Sequence, residues 1–573
     1  MQQFYWIYYP YGSIFATYYL THHYMSYFSK HAQLLNDARQ ALEKRVYYTP
    51  YPELPKFYGE EADTIAKAYL SSIMNTNFRE LLQEADLGFA GEEISPYLQL
   101  GIGVKYPQLS AESYIANARN AGKKWSSVSI EERAGILIES LERIKNRFFD
   151  VAYATMHTTG QSFMMSFQAS GPHSNDRALE AITVAYNELT KHVFATDWVK
   201  PMGKFDLKLH KTWKPVPKGV SLVIGCSTFP IWNTVPGVYA SLMTGNAVII
   251  KPHPRAVLPI AIVVGEIQRL FKEDGIEPLT IQIATDTLSR PITKELALHP
   301  DIKLIDYTGG SEFGDYIEGL GKTTFTEKAG VNSVIIDSTA DFKAVAQNIA
   351  FSATLYTGQM CTAPQNIFIP ASGVKTNDGV LSFDEAAKHI CDAIAALVDH
   401  PKAGAATLGA VQSELTIGRV KNAHNLAGKV LLESKTIKNE EFPDARIATP
   451  IVVELDKSNS DVYSQECFGP IVFIIKTSST AESIDCAQKL ATSKGAITCG
   501  AYSTEKSTME MIAEAMNSVF TPVSFNFTGA AFINSHAAFS DYHVTGGNAA
   551  GNASFTNTEF VSKRFVWVGN RYA

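Results

Sequence analysis

Six cysteines in 573 residues, a formal net charge of −7 and 46% hydrophobic residues describe an acidic globular chain. At ~100–200 residues per domain it has core enough for two to four units. The balance of 50 basic to 57 acidic residues argues against nucleic acid or an anionic membrane as principal partner, and no run of ~18 apolar residues offers a spanning helix.

The cysteines (Cys226, Cys361, Cys391, Cys467, Cys486, Cys499) form no C-x-x-C pair, and no histidine cluster has metal-ligand spacing. Neither a disulfide framework nor a metal is expected, and a reducing, cytoplasmic compartment is. Residues 1–28 hold twelve aromatic side chains and lack the positive start and smooth apolar middle of a secretory leader. They read as a tail of doubtful status, upstream sequence ahead of a start at Met25, in preference to a disordered tail or a strand lent to a partner. Residues 29–110 read as a helical extension broken by turn signals such as Tyr48-Thr-Pro-Tyr-Pro-Glu-Leu-Pro55.

From Ala111 to about residue 193 the pattern is helical, with Ile130, Ile136, Ile138, Leu141 and Ile144 at helical spacing. Gln161-Ser-Phe-Met-Met-Ser-Phe-Gln168 reads as core rather than pocket wall. Residues 194–217 alternate like an extended ribbon, expected to join residues 550–573 in an oligomerisation arm. Apolar runs at Gly219–Cys226, Asn246–Pro252, Leu279–Thr285 and Ile302–Gly309 then alternate with helical stretches at Ile231–Thr244, Ala256–Phe271 and Ser311–Gly321. A second series has strands at Ser333–Asp337, Gln365–Pro370, Ile447–Leu455, Pro470–Thr477 and Ile497–Ser503. Its helices fall at Asp341–Tyr356, Ser382–Val398, Ala481–Thr492 and Thr504–Met516. The alternation predicts an α/β fold of two doubly wound parallel sheets: a dinucleotide-binding domain over 111–193 and 218–326, and a catalytic domain over 327–549.

Cys361 stands in Thr357-Gly-Gln-Met-Cys-Thr-Ala-Pro364, a turn after a helix, where a thiol is displayed rather than buried mid-element. Alone it is weak, because most cysteines are small core residues. Glu327, in Thr323-Thr-Phe-Thr-Glu-Lys-Ala-Gly-Val-Asn-Ser333 and read as standing before a strand, can act as general base to such a thiol or to water attacking a thioester. Thr308-Gly-Gly-Ser-Glu-Phe-Gly314 is a glycine-rich strand-to-helix turn, with Gly309, Ser311 and Gly314 candidates for a phosphate cradle. Lys251 ends an apolar strand in Val248-Ile-Ile-Lys-Pro-His-Pro254, and Glu466 and Phe468 share the turn Gln465-Glu-Cys-Phe-Gly-Pro470. Each has a bland alternative as a solvated side chain or an ordinary turn.

In this order the pieces resemble the aldehyde dehydrogenase superfamily, from about Ala111 to Val568. Pro217-Lys-Gly-Val220 resembles its P-x-G-V strand, and Gly245-Asn-Ala-Val-Ile-Ile-Lys-Pro252 its G-N-A-V-V-x-K-P signature. Glu327, Gly330 and Asn332 match E-L-G-G-K-N-P; Cys361 follows 34 residues later in G-Q-x-C; Glu466 and Phe468 match E-x-F-G-P. The resemblance implies a nicotinamide cofactor held by Lys251, the Gly309 turn, Glu466 at the ribose and Phe468 near the ring. It also implies aldehyde oxidation through a Cys361 thioester hydrolysed with Glu327, and a homodimer or dimer of dimers.

Two departures bear on chemistry. Thr228, in Cys226-Ser-Thr-Phe-Pro230, stands where the family's P-W-N-F-P places an oxyanion-hole asparagine, and Gly237 stands for a lysine nine residues on. Pro254 and Arg255 replace the glutamate that meets the adenosine ribose in NAD-preferring members, so NADP is favoured slightly over NAD. The pieces at 48–55, 95–97, 156–165 and 539–543 further resemble the branch of the family that serves phenylacetic acid degradation, implying a ring-cleavage semialdehyde, free or as a coenzyme A thioester, as substrate. A coenzyme-A-acylating semialdehyde dehydrogenase and a catalytically silent scaffold member are the rival readings.

Overall fold

The computed structural model describes residues 24–529, 531 and 537–573. Residues 1–23, the bulk of the aromatic tail, lie outside them; the expected start at Met25 falls within the first turn of a helix, α1 (Tyr24–Lys44). Among the described residues no helix is long and apolar enough to cross a membrane.

Helices α1 and α2 (Ala62–Ile73) lead into α3 (Ala111–Trp125), α4 (Ile130–Lys145), α5 (Phe148–Thr159), α6 (Phe163–Ser170) and α7 (Pro172–Thr190). Ser129 caps α4 in a reciprocal capping box with Glu132, and the isoleucines read from the sequence are buried against the other helices. Lys30 and His31 of α1 reach Glu139 of α4 at 2.6 and 2.7 Å. Between α2 and α3 the helical reading fails. Residues 74–110 are loops and two short antiparallel strands, β1 (Gly88–Ala90) and β2 (Tyr106–Gln108), because turn residues there interrupt every apolar run.

The ribbon is β3 (Ala195–Pro201) and β4 (Asp206–Pro217), antiparallel, to which β19 (Phe565–Tyr572) adds along the other edge of β4. Residues 550–564, expected in this arm, are elsewhere. Gly551 bridges to Glu327, Asn552 and Thr326 exchange hydrogen bonds, and a short helix at Thr558–Ser562 packs against α7.

The first doubly wound sheet has β5 (Val220–Ile224), β6 (Ala247–Lys251), β7 (Ile281–Ile283), β8 (Ile302–Thr308) and β9 (Thr323–Glu327) in the order β7-β6-β5-β8-β9, all parallel. Val220 to Ile224 and Ala247 to Lys251 are buried at every residue, as a strand covered by helices on both faces must be. The crossover helices are α8 (Val235–Met243), α9 (Leu258–Glu273), α10 (Thr293–Leu298) and α11 (Ser311–Glu318). Helix α8 begins at Val235 rather than Ile231, with Pro236 in its first turn. Glu327 stands before a strand as expected, the next one beginning at Asn332, and it also ends β9, which the sequence reading did not include.

The second sheet begins with β10 (Asn332–Ile336), helix α12 (Phe342–Thr354) and β11 (Pro364–Pro370). A hairpin of β12 (Val374–Thr376) and β13 (Gly379–Leu381) stands apart. The remaining strands are β14 (Lys429–Leu432), β15 (Ile451–Asp456), β16 (Ile471–Thr477), β17 (Cys499–Tyr502) and β18 (Val523–Phe525), in the order β14-β15-β16-β11-β10-β17-β18. All pairs are parallel except β14 with β15. In the first sheet the chain leaves β5 towards β6 and later returns to β8 on its other side. That reversal leaves a crevice beyond the carboxyl ends of β5 and β8, and the functional residues collect there.

Candidate active site

The backbone that carries Cys361 is tightly specified. After α12, Tyr356 and Thr357 adopt left-handed φ values of 51° and 55°, followed by Gly358 at 62°. Two such non-glycine residues cost ~1–3 kcal/mol each and persist only where neighbours over-determine them. Here Tyr356 Oη donates to Thr159 O at 2.6 Å, Thr357 Oγ1 to Leu408 O at 2.6 Å, and Gln359 Nε2 to Ala410 O at 3.1 Å. Gly358 is required as well as permitted: a Cβ there would lie 2.5 Å from Gly469 O. Asn332 pins the far side, its Nδ2 donating to Cys361 O (2.8 Å) and Ala363 O (3.1 Å) while its Oδ1 accepts from Ile497 and Thr498 N–H. The thiol is thus presented on a rigid loop.

Glu327, 1% exposed, faces that thiol. Its Oε2 accepts from Asn233 Nδ2 at 2.8 Å, and its Oε1 lies 2.9 Å from His543 Nε2. His543 Nε2 is 4.0 Å from Cys361 Sγ, and the thiol sulfur, the carboxylate and the ring nitrogen lie within 4.8 Å of one another. Burial pushes the Cys361 thiol well up from the usual cysteine range, and the Glu327 charge adds to the rise. Burial likewise raises Cys226, whose Sγ lies 3.7 Å from Asn233 Oδ1.

Cys361 and Glu327 open onto a cavity of about 610 Å³, whose wall also carries Thr228, Lys251, Gly309, Glu466 and Phe468, within the usual size range for small-molecule and cofactor sites. Lys251 is buried and lies 2.7 Å from Asp286, a second wall residue; burial lowers its pKa against the raising effect of that carboxylate. Burial raises Glu466 to about 7, opposed by Arg419, which donates to Phe468 O at 2.9 Å. A buried lysine, a glycine turn at a strand's carboxyl end and a sequestered carboxylate form a donor and acceptor set suited to the phosphates and ribose hydroxyls of a dinucleotide.

Not every expected contact is there. Arg255 is absent from the cavity wall. Ser311 opens α11 behind Gly309 and Gly310, and Gly314 abuts the Lys328 side chain, where a Cβ would meet Cδ at 2.5 Å. Thr228 reaches the wall while its carbonyl accepts from Gln161 Nε2 at 2.7 Å; no residue of 161–168 lines the cavity. Gly237 has a packing reason: a Cβ would lie 2.7 Å from the Asp306 carboxyl group, which Arg564 grips at 2.8 and 2.6 Å. Sequence reasoning missed Asn233, Asp286, Arg419 and His543. A Trp232-Asn233 pair five residues beyond the expected asparagine position was the available signal for the first, and the piece 539–543, read only for its resemblance, was the signal for His543. Asp286 lies in a loop and Arg419 in the helix Glu414–Asn422, neither with a local pattern.

The aldehyde dehydrogenase family model matches residues 102–559, and the chain belongs to that family. The solved structure of an NAD-dependent aldehyde dehydrogenase from Burkholderia multivorans is 42% identical, with a TM-score of 0.93 over 95% of this chain and 98% of that one. A 1-pyrroline-5-carboxylate dehydrogenase of Thermus thermophilus shares the fold at 18% identity, TM-score 0.73, covering 92% of this chain and 98% of that one. Among curated proteins, a vanillin dehydrogenase of Corynebacterium glutamicum is 24% identical over 65% of this chain and 72% of its own length. A benzaldehyde dehydrogenase of Bacillus subtilis is 24% identical over 66% and 73%. The chain is an oxidoreductase of the NAD(P)-dependent aldehyde dehydrogenase class.

Proposed function

We propose that this protein oxidises a ring-cleavage semialdehyde to its acid in phenylacetate degradation, in the manner of the phenylacetic acid degradation protein PaaN. The observation that carries the chemistry is the sharing of one cavity wall by Cys361, Glu327, Lys251, Glu466 and Phe468. Cys361 adds through Sγ to the aldehyde carbon, and the resulting oxyanion is met by the Cys361 backbone amide and the Thr228 hydroxyl. A bound nicotinamide supplies the hydride acceptor. Glu327 then takes a proton from water, the water oxygen adds to the Cys361 thioester, and the acid leaves with the thiolate restored.

A carboxylate buried beside the thiol favours water over coenzyme A as acyl acceptor. The substrate class rests on the four sequence pieces shared with the phenylacetate branch and on relatives named for vanillin and benzaldehyde. The leaning to NADP rested on Arg255; with Arg255 off the wall and Asp286 on it, the carboxylate beside Lys251 favours a ribose 2′-hydroxyl over a 2′-phosphate, and NAD is the preferred cofactor. A panel of aliphatic, aromatic and acyl-coenzyme-A semialdehydes, each with NAD and NADP and with free coenzyme A omitted, tests the whole reading. Turnover with a ring-cleavage semialdehyde and NAD supports it; an absolute need for free coenzyme A overturns it.

A further inference from the structure

We propose that His543 is a third catalytic residue: it takes the proton of the Cys361 thiol by way of the Glu327 carboxylate, leaving a thiolate paired with an imidazolium. The inference deepens the reading of Cys361 as nucleophile and rests on it.

Three observations point there. His543 Nε2 touches both reacting groups, at 2.9 Å from Glu327 Oε1 and 4.0 Å from Cys361 Sγ, although 216 residues separate it from Glu327. The ring is boxed in. Trp232 stands edge-on at 4.6 Å and Phe555 lies at 5.5 Å, while the His543 carbonyl accepts from Phe555 N–H. The loop that delivers it is fastened to the scaffold. Phe539 N–H donates to Glu180 Oε1 at 2.8 Å, and Arg177 donates to Asp541 O at 3.1 Å and to Glu180 at 2.9 Å while lying over Trp232 at 5.5 Å. Helix α7 thus holds His543 in place against the nucleophile. The titratable and charged groups facing it are Glu327 and Cys361, Cys226 and Glu466 where they bear on Cys361, and Arg177 behind Trp232.

The chemistry closes without any further reagent. The S–H bond of Cys361 breaks as Glu327 accepts the proton; the proton passes from Oε1 to Nε2, forming N–H and restoring the carboxylate. The cation then sits 4.0 Å from the sulfur, where it stabilises a thiolate that burial beside a lone carboxylate would disfavour. During thioester hydrolysis Glu327, again ionised, takes the proton of water and releases it to solvent, and the departing thiolate returns to its imidazolium.

The test is the pH profile of Cys361 alkylation by iodoacetamide, followed on the Cys361 peptide by mass spectrometry, for wild type, His543→Asn and His543→Phe. In the wild type the rate at pH 6.5 should stand within about threefold of that at pH 9. Both variants should fall at least tenfold at pH 6.5 and regain rate only as the pH rises beyond 9, because burial beside Glu327 holds the unassisted thiol well up. Asparagine can still donate to Glu327 but holds no proton, so an Asn profile that superimposes on the wild type reduces His543 to a positioning role and overturns the proposal. If the Phe variant does not fold, the Asn variant and the wild-type profile decide, since a wild-type thiol that reacts only above pH 8 is equally fatal. Cys361→Ser separates the two layers. Turnover in Cys361→Ser sinks the nucleophile reading, whereas a dead Cys361→Ser with unmoved His543 profiles sinks only the present one.

Discussion

Glu327 keeps both carboxylate oxygens engaged, one by Asn233 and one by His543, so it is held inward against Cys361 instead of sampling the cavity. Replacing it by glutamine keeps hydrogen-bonding capacity and removes the base. Glu327→Gln interrupts the proton relay from Cys361 as well as the activation of water, so a burst of NADH equal to the enzyme present should still accumulate but more slowly than wild-type acylation, with steady-state turnover down ~10²–10⁴-fold; stopped-flow absorbance separates the phases. Glu466 titrates where it matters. Burial raises it to about 7, so its carboxylate is ionised above that pH and neutral below. In the ribose-holding role that the resemblance gives it, cofactor affinity should weaken as pH falls from 8 to 6. Calorimetric titration of Glu466→Gln should show a flat dependence, and a slope equal to wild type would refute the role. Cys361, Glu327 and Glu466 were legible because each sits in a short motif with its own glycine or proline punctuation. His543 and Asn233 were not. The piece 539–543 and the Trp232-Asn233 pair marked their neighbourhoods, but their meaning lies in hydrogen bonds to Glu327 across 216 and 94 residues, which neither piece discloses.

At the level of elements, the extension before α3 is tied to the first doubly wound sheet and its helices by one buried carboxylate. Glu93 Oε1 accepts from Val257 and Leu258 N–H at the start of α9, at 2.6 and 2.8 Å, and its Oε2 accepts from Tyr106 Oη. Burial raises Glu93 to about 7, so the folded state retains a proton that the unfolded chain loses near 4.5. This group's stabilisation is therefore complete below 4.5 and declines as pH rises to about 7. Glu93→Gln should flatten that part of the Tm-against-pH curve between pH 5 and 8. Glu93→Ala, which strands two amide N–H groups, should cost about 2–4 kcal/mol in chemical denaturation. The inner strands of both sheets were legible because continuous burial makes them continuous apolar runs, whereas the edge strands β14 and β18, short and only partly buried, were not read. Strand β9 was not: Thr323-Thr-Phe-Thr-Glu shows one strong apolar residue, and its pairing with β8 was needed to define it. Residues 74–110 were misread as helix because the helices on either side coloured a segment whose own pattern is weak.

For the whole molecule, the three-stranded ribbon leaves Val199, Phe205, Leu207, Val566 and Val568 between 38% and 63% exposed, more apolar surface than a free arm normally carries. The arm reading predicts that Val566→Lys with Val568→Lys lowers the mass seen by light scattering from an oligomer towards one chain, with the cofactor site intact. The two doubly wound sheets were legible as two series of alternating strands and helices, but the return of residues 543–557 to β9 was hidden, since a loop that closes a site carries no periodicity. The central claim is that Cys361 becomes acylated in the cavity that holds the cofactor, and mass spectrometry of Glu327→Gln incubated with aldehyde and NAD tests it most directly. The account predicts an acyl adduct on the Cys361 peptide that forms only when NAD is present. An adduct on another cysteine, or wild-type NADH formation by Cys361→Ala, would contradict it.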